Sequence, residues 1–198
     1  MSAKTVEFFF DVGSPTTYLA WTQLPALCAQ AGATLVYRPT LLGGVFQATG
    51  NTSPAEVPAK GRYMNVDMAR FAKRYGVPLR ENPHFPINTL ALMRGATAVQ
   101  LRAPARLDAY LRAVFGAIWI EALNLNEPAL VAKTLGDAGF DAAEFMAWIG
   151  DAEVKAALRA TTEEAVVRGV FGAPTVFVGT QMFFGQDRLD FVREALAG

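Results

Sequence analysis

The 198-residue sequence contains one cysteine, Cys28, and one histidine, His84. A single cysteine cannot form a disulfide within the chain, and its place among apolar residues of a predicted helix favours a buried structural thiol. One residue of each kind is too few for the usual Cys and His metal centres, so no metal is expected. The chemistry of this chain must come from other groups.

The chain also lacks an excess of either charge, since 18 Lys and Arg residues balance 18 Asp and Glu residues. Nucleic-acid binding usually requires a basic field, so no nucleic-acid partner is expected. No uninterrupted apolar run is long enough to span a bilayer, and the first residues, MSAK, do not resemble the apolar core of a signal peptide. We therefore expect a cytoplasmic protein with no membrane partner.

Residues 8–15, FFFDVGSP, are the most informative stretch, because an apolar strand stops abruptly and is followed by a helix start. Ser14 is a typical N-cap and Pro15 a typical first helical residue. The Ser14 hydroxyl would then lie among unpaired backbone N–H groups at the positive end of the helix dipole, where an anion such as a thiolate is favoured. Taken alone, the segment favours a serine that only caps a helix, because most Ser-Pro helix starts have no other role.

A second informative stretch is residues 170–178, VFGAPTVFV, which predicts a late apolar strand. Pro174 near its beginning suits the start or edge of a strand, where a missing N–H group is tolerated. A turn at Gly179, a strand at residues 181–184 and a short helix from about Asp187 are expected to follow.

The rest of the chain opens as a βαβ unit, with a strand at residues 5–10, a helix at 15–31 and a strand at 34–38. Glycines and prolines are dense from Gly43 to about Pro58, which predicts a binding loop. Apolar residues then recur at helical spacing from Arg62 to Val167. This pattern predicts a first unit made of residues 1–44 and 168–198, with a helical unit of residues 45–167 inserted into it.

The N-terminal strand, Ser-Pro turn and helix, paired with a late Gly-Ala-Pro-Thr strand, resemble the thioredoxin fold, in which a cis-proline loop faces the active-site helix. Ser14 and Thr17 stand where disulfide oxidoreductases have their two cysteines, which excludes redox chemistry through those positions. With a large all-helical insertion, this α/β chain resembles the kappa-class glutathione transferases and the related 2-hydroxychromene-2-carboxylate isomerases of the DsbA-like superfamily. The resemblance covers nearly the whole chain and includes TGN at 49–51, PAKGRYM at 58–64, NPHFPINT at 82–89, GAP at 172–174 and FGQDRL at 184–189.

The resemblance implies glutathione as the cofactor and Ser14 as the catalytic residue that hydrogen-bonds its sulfur as a thiolate. Ala173, before Pro174, would pair with the peptide as an added strand, and Asp187 would pair with the γ-glutamyl ammonium. Asn51 and Lys60 would hold the glycyl end, although Lys60, like Arg188, is also explained as a surface cation. The implied cofactor-binding residues are Ser14, Asn51, Lys60, Ala173, Pro174, Gln186, Asp187 and Arg188.

Phe46, His84 and Phe85 are the candidates for a pocket that holds an aromatic substrate. Trp119 and Phe184 could add to its walls, although each of these aromatic rings could equally belong to the core. His84 lies in a proline-bounded loop, and packing of that loop is the alternative role for it.

The resemblance implies a glutathione-dependent isomerase that interconverts 2-hydroxychromene-2-carboxylate and trans-o-hydroxybenzylidenepyruvate in aromatic-compound degradation, or that acts on a close analogue. The thiolate would add to the conjugated double bond, leave a single bond free to rotate, and depart. Cations expected near Phe46 and before Lys60 to anchor the substrate carboxylate are missing, which leaves the substrate open. The alternatives are a kappa-like glutathione transferase or peroxidase and a non-catalytic thioredoxin-fold binding protein, and a homodimer is expected because relatives are commonly dimers.

Overall fold

The structure, a computed structural model, describes residues 4–198, so the sequence argument drawn from the first three residues lies outside this part. The strands of the described part are β1 (Thr5–Phe10), β2 (Thr34–Pro39), β3 (Thr175–Val178) and β4 (Gln181–Phe184). They form one mixed sheet in the order β2, β1, β3, β4. β1 pairs in parallel with β2 and antiparallel with β3, and β3 pairs antiparallel with β4.

The α-helices of the described part are α1 (Pro15–Gln30), α2 (Leu42–Thr49), α3 (Pro58–Tyr75), α4 (Leu90–Arg102), α5 (Leu107–Trp119), α6 (Pro128–Asp137), α7 (Ala142–Gly150), α8 (Ala152–Val167) and α9 (Leu189–Ala197). Helices α2 to α8 all lie between β2 and β3 in the chain, while α1 connects the two parallel strands. None of the helices within residues 4–198 combines the length and the apolar character needed to cross a bilayer. The division into two units at residues 45 and 167 stays a prediction.

Strand β1 is buried on both faces, which explains its continuous phenylalanine run. Phe8 and Phe10 belong to the main core, where their rings stack with centroids 5.4 Å apart. Phe9 points to the other face and packs in a second cluster with Val45 and Phe177. A strand that packs on both faces reads as a run of apolar residues, whereas a half-exposed strand alternates. The predicted strand is therefore confirmed, with helices on either side of it.

The predicted loop from Gly43 to Pro58 is wrong over its first half, because residues 42–49 form helix α2. A Cβ on Gly44 would lie 3.2 Å from the Thr162 side chain, so the glycine lets α2 approach α8 closely. Val45 is buried in the cluster of Phe9, and the Leu42 N–H donates to the carboxylate of Asp11. These tertiary contacts outweigh the low helix propensity of the glycines.

The thiol of Cys28 is buried in α1, as predicted, and burial raises its pKa to about 11. Because the pKa is raised, the thiol stays protonated near neutral pH, whereas an exposed cysteine with a pKa of about 8.5 is partly thiolate. We expect iodoacetamide to alkylate the native protein on the order of a hundredfold more slowly than the urea-unfolded protein at about pH 8, measured by mass spectrometry. Equal rates in the two states would contradict the burial argument.

Candidate active site

The turn between β1 and α1 carries Ser14. The Ser14 N–H donates to the Asp11 carbonyl at 3.1 Å, which closes the turn. The Ser14 hydroxyl oxygen accepts from the Thr17 N–H at 3.2 Å, and Pro15 occupies the first helical position. The predicted N-cap is confirmed. Ser14 is buried, with 6% of its surface exposed.

Asp11 stabilises this turn through its buried side chain, with only 1% of the residue exposed. One carboxylate oxygen accepts from the Gly13 N–H at 2.9 Å, and the other accepts from the Leu42 N–H at 2.8 Å and the Thr89 hydroxyl at 3.0 Å. Burial raises the pKa of the Asp11 carboxyl, and these hydrogen bonds oppose that shift. Asp11 therefore fastens the turn to the starts of α2 and α4, a role that the sequence reasoning missed.

Gly13 allows the turn to lie against the segment before α4. A Cβ at this position would lie 2.7 Å from the methyl group of Thr89, a distance that real Cβ atoms do not adopt. The glycine at this point of the motif is thus explained by close packing.

The loop before β3 faces the same helix end. The peptide bond between Ala173 and Pro174 is cis, as the resemblance to the thioredoxin fold implies. The Ser14 hydroxyl donates to the Ala173 carbonyl at 3.0 Å. The Gly185 N–H donates to the Pro174 carbonyl at 3.0 Å, which brings the turn that follows β4 alongside the loop.

A second hydroxyl stands beside Ser14. Thr16 Oγ1 lies 2.9 Å from Ser14 Oγ and 3.4 Å from the Ala173 carbonyl oxygen. Thr17 is the residue compared above with the second cysteine of disulfide oxidoreductases. Its hydroxyl is buried and has no hydrogen-bond partner among the described residues. The sequence reasoning considered Thr17 and missed Thr16, although a hydroxyl in the first turn after an N-cap was a visible signal.

The other predicted cofactor-binding residues differ in what their side chains contact. The Asn51 side chain donates to the Phe171 carbonyl at 2.8 Å and so lies beside the approach to the cis proline. Asp187 is exposed and forms an ion pair with Arg188 in the turn after β4. Lys60 is exposed in the first turn of α3 and forms no ion pair within the described residues.

Gln186 is buried in that same turn, with 6% of its surface exposed. Its backbone carbonyl accepts from the Tyr75 hydroxyl at 2.6 Å. This bond ties the turn that carries Asp187 to the end of α3. The turn is therefore held between the cis-proline loop on one side and α3 on the other.

On the predicted substrate side, Phe85 is 39% exposed and its ring centroid lies 6.2 Å from that of Trp119. Trp119 is buried, and its indole N–H donates to the Val12 carbonyl at 2.8 Å. Phe85 is thereby placed near the turn that carries Ser14, while Trp119 supports the turn from the core and exposes only 3% of its surface. Phe46 is half-buried on α2.

His84 is exposed, and its backbone N–H donates to the Asn82 side chain at 2.8 Å. Asn82 is buried and donates in turn to the carbonyls of Ile118 and Leu123. The Asn82 amide thus anchors the loop to the end of α5. As substrate contacts, Phe46, His84 and Phe85 stay predictions.

A sequence model of the DsbA-like thioredoxin domain matches residues 5–197. The chain belongs to the DsbA-like thioredoxin family. A 2-hydroxychromene-2-carboxylate isomerase from Sphingobium xenophagum is 33% identical over 195 residues, which cover 98% of each chain. Human glutathione S-transferase kappa 1 is 30% identical over 209 residues, covering 98% of this chain and 91% of that protein. A solved structure of 2-hydroxychromene-2-carboxylate isomerase superposes with a TM-score of 0.84 at 32% identity, covering 98% of this chain and 94% of that one.

The family and the fold class expected from the sequence are thus confirmed for this DsbA-like thioredoxin protein. It has a mixed four-stranded sheet and a long helical stretch between β2 and β3, with Ser14 directly before the first helix. Its relatives with about 33% identity support an isomerase function, and the kappa transferases support a related transferase-like function.

Proposed function

We propose that this protein is a glutathione-dependent isomerase that interconverts 2-hydroxychromene-2-carboxylate and trans-o-hydroxybenzylidenepyruvate, or a close analogue of this pair. One observation carries the proposal: the Ser14 hydroxyl, at a helix N-terminus, faces the carbonyl of Ala173 before a cis proline. The similarity to isomerases over nearly the whole chain supports it. When bound, glutathione supplies the nucleophilic sulfur that the chain lacks at these positions.

The donor set fits such a peptide. A thiolate needs hydrogen-bond donors and a positive local potential, which Ser14 and the first turn of α1 provide. Free thiols titrate at a pKa of about 8.5, and a helix N-terminus lowers this value. The sulfur of bound glutathione is therefore mainly a thiolate at neutral pH. The Ala173 carbonyl offers a backbone acceptor beside Ser14, as strand-like pairing of a peptide requires.

Glutathione carries an ammonium group at its γ-glutamyl end and a carboxylate at its glycyl end. The candidate residues include an exposed acid and an exposed base, which could pair with these two groups. We assign the exposed Asp187 to the γ-glutamyl ammonium, with Gln186 and Arg188 in the same turn. We assign Lys60 and Asn51 to the glycyl carboxylate, since a cation and an amide donor suit that group. Lys60 forms no ion pair within the described residues, whereas Asp187 would exchange its ion pair with Arg188 for one with the ammonium group of the ligand.

The substrate would lie between Phe85 and Phe46, whose rings pack against an aromatic group, with His84 at the rim. Positioning is the contribution of these residues, since they would hold the substrate double bond next to the sulfur. The segment at residues 54–56, where a carboxylate-anchoring cation is expected, forms a short turn that instead presents the exposed acid Glu56. A substrate less acidic than 2-hydroxychromene-2-carboxylate is therefore part of the proposal, as are the homodimer and the cytoplasmic location.

A kappa-like transferase is the second candidate, and the 30% identity to human glutathione S-transferase kappa 1 favours it. The two reactions differ in what happens to the thiol. Conjugation consumes one glutathione for each product, whereas isomerisation releases it unchanged.

The test follows conversion of 2-hydroxychromene-2-carboxylate by ultraviolet absorbance, with and without substoichiometric glutathione, while free thiol is measured with a chromogenic disulfide. We expect turnover that requires glutathione and leaves the thiol concentration constant. Loss of one thiol per product would establish the transferase instead. Calorimetric titration with glutathione completes the test, because a protein that does not bind it would contradict both activities and favour a non-catalytic binding protein.

A further inference from the structure

Ser14 and Thr16 together form a hydroxyl pair whose hydrogen bonds can be counted. A hydroxyl has one proton to donate and two lone pairs that accept. Ser14 Oγ accepts from the Thr17 N–H at 3.2 Å and lies 3.0 Å from the Ala173 carbonyl oxygen. A carbonyl oxygen cannot donate, so the single proton of Ser14 points to Ala173.

The direction of the remaining contact follows. Thr16 Oγ1 lies 2.9 Å from Ser14 Oγ, whose proton is already directed elsewhere, so Thr16 donates and Ser14 accepts. The other acceptor within reach of Thr16 is the Ala173 carbonyl at 3.4 Å, which is beyond the usual range of an O–H···O hydrogen bond. Both lone pairs of Ser14 are therefore occupied, one by the Thr17 N–H and one by the Thr16 hydroxyl.

We propose that Thr16 is a positioning residue that leaves Ser14 able only to donate, so that Ser14, once its proton turns from the Ala173 carbonyl to a bound sulfur, selects the thiolate form of that sulfur over the thiol form. The inference rests on the proposed function, since the sulfur is that of glutathione. A thiolate accepts hydrogen bonds and cannot donate them, whereas a thiol can donate its S–H to a free lone pair. By filling that lone pair, Thr16 removes the partner that would stabilise the thiol.

Two further features agree with this role. A hydroxyl that accepts hydrogen bonds from two donors is polarised and donates more strongly itself. Charged side chains do not explain a preference for the thiolate. The carboxylate of Asp11 already accepts hydrogen bonds from Gly13, Leu42 and Thr89. In the proposed complex, Lys60 and Asp187 lie at the two ends of the peptide and not at the sulfur.

The chain provides a matched control for the test. Thr16→Val removes the hydroxyl and keeps the branched shape, and Thr16→Ser restores a hydroxyl. Thr17→Val makes the same chemical change at the next residue, whose hydroxyl has no partner in the described part of the chain. Thr16→Ala serves as a second deletion of the hydroxyl if the valine variant folds poorly, and thermal unfolding confirms the fold of each variant.

The measurement is the thiol pKa of bound glutathione, obtained from the ultraviolet absorbance of its thiolate as a function of pH. We expect Thr16→Val to raise this pKa by about half a unit to one unit, the size of one neutral hydrogen bond. Thr16→Ser and Thr17→Val should retain the value of the unmodified protein. An unchanged thiol pKa in both Thr16→Val and Thr16→Ala would overturn the proposal.

S-methylglutathione separates thiolate selection from peptide binding, because its sulfur cannot ionise. Its affinity should be the same for the unmodified protein and for Thr16→Val, while the affinity for glutathione at neutral pH falls severalfold. An equal loss for both peptides would show that Thr16 merely shapes the peptide site, which also overturns the proposal. If the unmodified protein binds neither peptide, the proposed function fails and this inference fails with it.

Discussion

Replacement of Ser14 by alanine is expected to lower glutathione-dependent turnover by about ten- to a thousandfold, the usual cost of removing one charge-stabilising donor. The Ser14 hydroxyl is the side-chain donor that points at the Ala173 carbonyl, beside which the sulfur would lie. Its loss removes the side-chain donor that the proposed function assigns to the thiolate. Turnover at saturating substrate, measured against glutathione concentration, separates this effect from weaker peptide binding.

Ser14 is also a helix cap, so its replacement should cost stability as well. Loss of a serine N-cap lowers the free energy of unfolding by about 0.5–2 kcal/mol. Asp141→Ala is the matched control, because Asp141 caps α7 through the Glu144 N–H at 2.8 Å and lies outside the site. It should lower stability by a similar amount without changing turnover. If Ser14→Ala and Asp141→Ala both leave turnover intact, Ser14 is a cap and nothing more.

The parts of the fold that could be predicted are those with strong local signals. The Ser-Pro start of α1 fixes the helix boundary through an N-cap and a residue without an N–H group, and the structure places the boundary there. The late hairpin is marked by apolar strands on either side of Gly179, which adopts a left-handed conformation with φ of 59°. In both cases the residues that determine the structure lie within a few positions of one another.

Helix α2 could not be predicted in this way, because its stability comes from residues far along the chain. Locally, Gly43, Gly44 and Gly50 suggest a loop. In the fold, Gly44 packs against Thr162 and the Leu42 N–H donates to Asp11, so the segment becomes helical where α8 and the turn between β1 and α1 meet it. Gly50 then ends the helix with φ of 72°, which is a helix stop and not a loop signal.

The sequence indicates Ser14 and Pro174 as candidate site residues, but it does not indicate the residues that support them. Ser14 and Pro174 follow from sequence motifs, but the choice between Thr16 and Thr17 depends on which side chain the first helical turn directs outward. Once the Thr17 N–H caps onto Ser14, its hydroxyl faces the core and the Thr16 hydroxyl faces Ser14. The support of the turn by Trp119, which is 107 residues from Val12 in the chain, has no local signal at all.

The second large effect is expected at Gly95 in α4, which is not among the candidate site residues. A Cβ there would lie 2.3 Å from the Tyr110 hydroxyl oxygen and 2.5 Å from the Phe145 ring. Tyr110 is fully buried and donates to the Leu92 carbonyl at 2.7 Å, so it cannot move without losing a buried hydrogen bond. We expect Gly95→Ala to lower the free energy of unfolding by about 1–3 kcal/mol through overpacking, measured by urea denaturation.

Gly116 in α5 provides the opposite case, because no atom of the described residues lies within 4 Å of a Cβ built there, apart from the local backbone. Gly116→Ala should raise the free energy of unfolding by about 0.5–1 kcal/mol, since alanine favours a helix more than glycine does. The same substitution therefore has opposite signs in two helices, and helix propensity alone cannot produce that result. If both variants are stabilised, the close packing of α4 on Tyr110 is not what requires glycine at position 95.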